Sequence, residues 1–212
     1  MTRKTLGQPE QIIQLSGISW QTYQILLGEL SERRLRLTYN RGILEIMAPS
    51  PEHEIYKKLA SRFVETIAEE LRMSIYPLGS TTLSRPNLSC GLEPDECFYI
   101  QNQNAVKGKK KIDLAQDPPP DLAIEIDTTG SAKSRLEVFA KIGIPEVWRY
   151  DGIFLSIYHL KNNTYIPSNH SLAFPMLYID KVDQFLLQAG VVDYLELVNA
   201  FRRWVKNQIR SN

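Results

Sequence analysis

Cysteine, histidine and net charge are all scarce in this 212-residue sequence, and each shortage argues against a class of function. The 2 cysteines, Cys90 and Cys97, are not spaced as CxxC, and none of the 3 histidines partners them. A zinc site is therefore not expected, and reduced thiols in a cytoplasmic protein are the simpler reading. The formal net charge is +1, so nucleic acid has to be held by local basic patches, if at all. No apolar run approaches the roughly 20 residues of a membrane span, and the opening MTRKTLGQPEQ lacks the apolar core of a signal peptide. Also missing are a Gly-rich phosphate cradle, a helix-turn-helix or zinc finger, internal repeats and low-complexity segments. What remains is an ordinary balance of 43% hydrophobic and 23% charged residues, enough to bury a core in one domain spanning 18–212.

Residues 1–17 are polar with little pattern and read as a flexible arm. Ser19 is placed to cap a helix from Trp20 to Leu30, followed by a hairpin: strand Arg34–Tyr39, turn Asn40-Arg41-Gly42, strand Ile43–Met47. This helix plus hairpin fills 18–48. Ser50 and Pro51 then open a long helix whose Ile55, Leu59, Phe63, Ile67 and Leu71 form an apolar stripe. His53 and Glu54 fall in its first turn, where capping and solvation are the ordinary roles. The sharper alternative is that one of them points into a site at the helix start. Short strands are expected over Ile75–Leu78 and Thr81–Ser84. Gly91-Leu92-Glu93-Pro94-Asp95 leads into an apolar strand at Cys97–Ile100. Residues 101–118 are loop-like and carry Lys107, Lys109, Lys110 and Lys111. Such a run is usually a solvated face, but it is also compatible with holding a phosphate backbone. Beyond residue 151 the pattern predicts a hairpin across Asp151-Gly152, a brief strand at Thr164–Ile166, and two helices within 181–210.

The stretch from Pro118 to Asp151 carries the chemistry. Asp121, Ala123, Glu125 and Asp127 share one face of a strand by the two-residue period, and Leu122, Ile124 and Ile126 share the other. Three carboxylates on one face repel and resist burial, whereas a divalent cation favours clustered oxygens. The next helix supplies Lys133, Arg135 and Lys141. Two strand acids, Asp95 and Glu125, with a cation nearby are what metal-assisted phosphodiester cleavage requires.

Taken in order, three segments resemble the Uma-type endonuclease family of the PD-(D/E)XK nuclease superfamily. They are SWQTYQILLGEL with RRLRLTYNRGILEIMAPSPEHE, then GLEPDECFYI, then PPDLAIEIDTTGSAKSRLEVFAKIGIPEVWRYDG. The resemblance implies an α+β (α/β) fold: a restriction-endonuclease-like core over 50–160, with a central mixed β-sheet flanked by helices, preceded by the helix-hairpin extension. It implies Asp95 and Glu125 as ligands of Mg²⁺ (or Mn²⁺), DNA as substrate, a homodimer, and no small-molecule cofactor or membrane. Where the superfamily pattern has lysine, this chain has Asp127. The matching cation is then Arg135 on the following helix, with Lys133 beside it, and Asp127 either adds a metal ligand or orients Arg135. Arginine stabilises charge but is a poor proton acceptor. The competing reading is a module of the same fold that binds nucleic acid or protein without chemistry, in which Glu125 simply pairs with Arg135. Phe201 and Trp204 on the last helix are a candidate dimer surface, with core packing the plainer role.

Overall fold

The computed structural model describes residues 10–130 and 132–211, with the side chains of residues 132–134 and 180 outside that description. Among the described residues two sheets share the chain. The first grows from the expected hairpin, β2 (Arg36–Asn40) and β3 (Ile43–Ala48). Its turn places Arg41 and Gly42 at φ 46° and 91°, the paired positive values that match strand twist. β1 (Gln11–Leu15) adds to the free edge of β3, while β5 (Leu83–Arg85) and β6 (Cys90–Leu92) extend the other side, in the order β1-β3-β2-β6-β5. The hairpin is thus the centre of an antiparallel sheet.

The arm expected over residues 1–17 is therefore corrected for Gln11–Leu15; residues 1–9 lie outside the described residues. β1 is an edge strand exposed along most of its length. Its conformation is set by the ladder with β3, in which Ile13 pairs with Ile46 and Leu15 with Leu44. An edge strand covered on so little of its surface carries no strong period of its own.

One face of this sheet is closed by α1 (Trp20–Glu29), capped as expected by Ser19, whose Oγ accepts from Thr22 N at 3.0 Å. Tyr23 stacks on Tyr39 with ring centroids 4.9 Å apart. Gly91 in β6 is the floor of that contact, because a β-carbon there would lie 2.6 Å from the Tyr23 hydroxyl. Gly91→Ala should cost about 1–3 kcal/mol by forcing the stacked ring aside, read as a lower urea midpoint. A mid-strand glycine so replaced without loss would refute this packing.

The second sheet runs β11 (Thr164–Ser168), β10 (Leu155–Lys161), β9 (Glu146–Tyr150), β8 (Leu122–Ile126), β7 (Glu96–Tyr99), β4 (Tyr76–Pro77). β8 and β9 are its parallel pair, joined by α4 (Ala132–Ile142). α2 (Pro51–Leu71), α5 (Val182–Leu186) and α6 (Tyr194–Ser211) cover one face, burying Leu122, Ile124 and Ile126 against Phe63, Ile67 and Phe201. Phe201 stacks on Phe63 at 3.9 Å, so the apolar face of α6 is core and not a dimer surface at that residue. α4 fills the space between the sheets, its Val138, Phe139 and Ile142 meeting Cys90 and Leu92 of one and Ala123 and Val147 of the other. Both faces of β8 are consequently buried, as parallel crossovers require. Within 101–118 the chain forms one short helix, α3 (Gln103–Val106). No helix among the described residues is long and apolar enough to cross a membrane.

Candidate active site

Antiparallel pairing of β7 with β8 sets Glu96 opposite Ile124. Asp95, one residue earlier, therefore lies beside Glu125, and its Oδ2 accepts from Ile126 N at 2.8 Å. The other oxygen, Oδ1, meets His53 Nε2 at 2.8 Å, and His53 Nδ1 meets Glu10 Oε1 at 2.5 Å. His53 is set by the start of α2, where Ser50 Oγ accepts its backbone N–H at 3.1 Å. A ring with a carboxylate at each nitrogen must donate from both, which makes it an imidazolium. Burial opposes that charge, but Asp95 and Glu10 outweigh it and lift the His53 pKa to about 10. Burial likewise pushes Asp95 up, yet His53 and then Arg135 hold its carboxyl below the usual range.

Arg135, on the second turn of α4, is the other cation, and it is 1% exposed. Its Nη2 donates to Glu125 Oε2 at 3.1 Å and to the Glu93 carbonyl at 3.0 Å, and Nη1 donates to Thr38 Oγ1 at 2.6 Å. Nε lies against Glu125 Oε1 as a close ion pair without the alignment of a hydrogen bond. Both Glu125 oxygens are thus engaged by one guanidinium. Burial raises the Glu125 pKa to about 8; Arg135 opposes the rise and Asp95 adds to it. On the far side of the guanidinium, Glu45 Oε1 stands 4.0 Å from Nη1 and has no hydrogen-bond partner.

The acids of β8 do not crowd a shared ion, and the expectation that they resist burial is corrected. Asp121 accepts from Ile100 N at 2.6 Å and from both nitrogens of Asn102. Asp127 is engaged by Arg149 of β9, with Nε at 3.0 Å, and by Gly130 N at 2.8 Å. Each carboxylate is buried because it has its own donors, so same-face spacing alone was no evidence for a metal. Of the two residues expected at the helix start, His53 turns inward, while Glu54 is exposed beside Lys57 at 3.2 Å. Lys133 lies in α4, with its side chain outside the description. Lys107, Lys109, Lys110 and Lys111 are exposed on a loop that leaves the end of β7 remote from Asp95, and Lys109 pairs with Asp117.

Glu10, Thr38 and Glu45 were not anticipated. The signal for Glu45 was a charged residue inside the apolar alternation of Leu44, Ile46 and Met47, directly opposite Thr38 on β2. Glu10, just ahead of an edge strand read as an arm, offered none.

Hard oxygen donors of this kind suit Mg²⁺ or Mn²⁺. Four buried carboxyls (Glu10, Glu45, Asp95 and Glu125) stand with two buried cations, His53 and Arg135. Burial raises the proton affinity of Glu125 and Glu45, so a divalent ion would take the place of protons as well as add charge. Glu45 Oε1 is an orphaned acceptor beside it. By donor chemistry and charge the residues fit a divalent ion. Among the described residues, however, no three His, Cys, Asp or Glu side chains are already gathered to hold one.

A crystal structure described as "a putative nuclease belonging to DUF820" from Anabaena variabilis is similar at 14% identity and a TM-score of 0.49, over 72% of this chain and 89% of that one. No curated protein matches the sequence. The family model Uma2, described as "Putative restriction endonuclease", matches residues 20–182, which contain Asp95, Glu125 and Arg135. The chain belongs to the Uma2 family, a family of the nuclease class.

Proposed function

We propose that this chain is a metal-dependent endonuclease hydrolysing DNA phosphodiester bonds in the cytoplasm. The observation that supports it is the meeting of Asp95 and Glu125 on adjacent strands against the Arg135 guanidinium. Asp95 and Glu125 are the proposed ligands of Mg²⁺ or Mn²⁺. When bound, the ion polarises a phosphoryl oxygen and lowers the pKa of a water. Asp95 is kept ionised and held in place by His53 and Ile126 N. Arg135 stabilises negative charge on the phosphate and does not take the proton of the attacking water. Glu125, with its proton affinity raised by burial, is the carboxyl that gives up a proton when it becomes a ligand. Metal affinity therefore rises with pH up to about 8.

Titration of Mn²⁺ into the native chain should give heat that depends on buffer ionisation, and none in Glu125→Gln. Nicking of supercoiled plasmid with Mg²⁺ should be lost in Asp95→Asn, and Arg135→Lys, which restores a side chain able to lose a proton, should speed it. Absence of both metal heat and nicking in the native chain would falsify this reading. A second reading has its own support: with both Glu125 oxygens on Arg135 and the cluster sealed from solvent, the fold works as a binding module without chemistry. It expects DNA retention unaffected by metal or by Glu125→Gln.

A further inference from the structure

Arg135 stands between two buried carboxyls and is bonded to only one of them. Glu125 accepts from Nη2 at 3.1 Å, while Glu45 Oε1 waits 4.0 Å from Nη1 with no hydrogen-bond partner and a side chain 7% exposed. A buried acceptor left unmet costs stability, so its retention calls for a role. For Glu125 to bind an ion, Arg135 has to release it, and a buried guanidinium without a counter-charge costs several kcal/mol. We propose that Glu45 is the positioning residue that receives the Arg135 guanidinium when Glu125 turns to a divalent cation. This rests on the metal-dependent reading above.

The geometry of the hand-over is short and guided. Nη1 is now held by Thr38 Oγ1 at 2.6 Å, and Thr38 pairs directly with Glu45 across β2 and β3. Moving from 4.0 Å to the roughly 2.8 Å of a charge-assisted bond requires a shift of about 1 Å along one rung of the ladder. Glu45 and Thr38 also line a cavity of about 100 Å³ together with Gln14, Asn40, Glu137 and Val138, so the Glu45 side chain has open space beside it in which to adjust. In the shifted state Arg135 keeps a charge partner, Glu45 gains its missing donor, and Glu125 presents both oxygens.

A double-mutant cycle read by Mn²⁺ calorimetry tests this. Glu45→Gln should weaken Mn²⁺ binding roughly tenfold in the native background, within the usual range for coupled sites. Arg135→Gln, which removes the competitor, should tighten it. In Arg135→Gln the further change Glu45→Gln should then alter affinity by less than about twofold, since nothing remains to be received. Equal weakening in both backgrounds makes Glu45 a ligand or a general negative charge and overturns the proposal, as does no change in either. A metal-free measurement separates this from the nuclease reading. With Glu125→Gln in place Arg135 should already rest on Glu45, so adding Glu45→Gln should lower Tm by about 2–4 °C more than it does in the native chain. An equal drop overturns the hand-over whether or not the protein binds metal. A chain that binds no Mn²⁺ but shows the larger drop has the Arg135–Glu45 contact without a cation to trigger it, which overturns both the hand-over and the nuclease reading. Mn²⁺ binding with an equal drop overturns the hand-over alone.

Discussion

At pH 9, where Glu125 is ionised, Arg135→Met should lower the free energy of unfolding by about 3–5 kcal/mol, the cost of leaving one member of a buried ion pair alone. Methionine matches the aliphatic stem but gives nothing to Glu125, the Glu93 carbonyl or Thr38, all of which now accept from the guanidinium. Glu125 can soften the loss by taking a proton, because its carboxyl already titrates well above the usual carboxylate range. The penalty should therefore be smaller at pH 5 than at pH 9. Replacing both partners, as Arg135→Met with Glu125→Leu, should recover most of the stability, since an apolar pair strands no charge. Urea unfolding of the single and double variants measures this, and a double variant as weak as the single one would show that the pair is not the source of the loss.

Stability should fall as the solution is made alkaline, because two buried groups act in the same direction. Glu125 goes from 4.5 to about 8 on folding. Below 4.5 both states hold its proton; between 4.5 and 8 the folded state keeps a proton that the unfolded chain releases, so stability declines with rising pH. His53 goes from 6.5 to about 10. Its contribution is complete below 6.5 and disappears as pH climbs to 10. Each slope approaches 1.4 kcal/mol per pH unit in its own window. Asp95 works oppositely, since its lowered pKa supplies stability that is lost only under strong acid. The maximum should fall in weak acid. Denaturant melts across pH 4–10 should show the decline, with Glu125→Gln flattening its lower part and His53→Gln its upper part. A flat profile from pH 5 to 9 would mean that neither group is perturbed as described.

Patterns local to one element were readable in the sequence. The Ser19 and Ser50 caps, the Asn40-Arg41-Gly42 turn and the Leu59, Phe63 and Ile67 part of the α2 stripe are each written within a few residues of where they act. Ile55, expected in that stripe, is instead exposed, because no described element closes over the first turns of α2 on its side. So was the strand–helix–strand unit from Leu122 to Tyr150, whose order puts Glu125 and Arg135 ten positions apart and in contact. What resisted reading depends on pairing between distant segments. β1 gains its form from β3, and β6 from β2; neither has a strong period. The β8 acids misled for the same reason, because the donors that let them be buried come from Asn102, Arg149 and Arg135, none of them on that strand. Polar satisfaction is a tertiary property, and spacing reports only which side chains share a face.

The Uma2 match begins at residue 20, whereas Glu10, in the residues before it, holds the outer nitrogen of His53. A fragment trimmed to that boundary would retain every residue of the family match and still lose the carboxylate that steadies the ring behind Asp95. Low yield or inertness in such a shortened version would then reflect the missing leading segment and say nothing about the acids themselves.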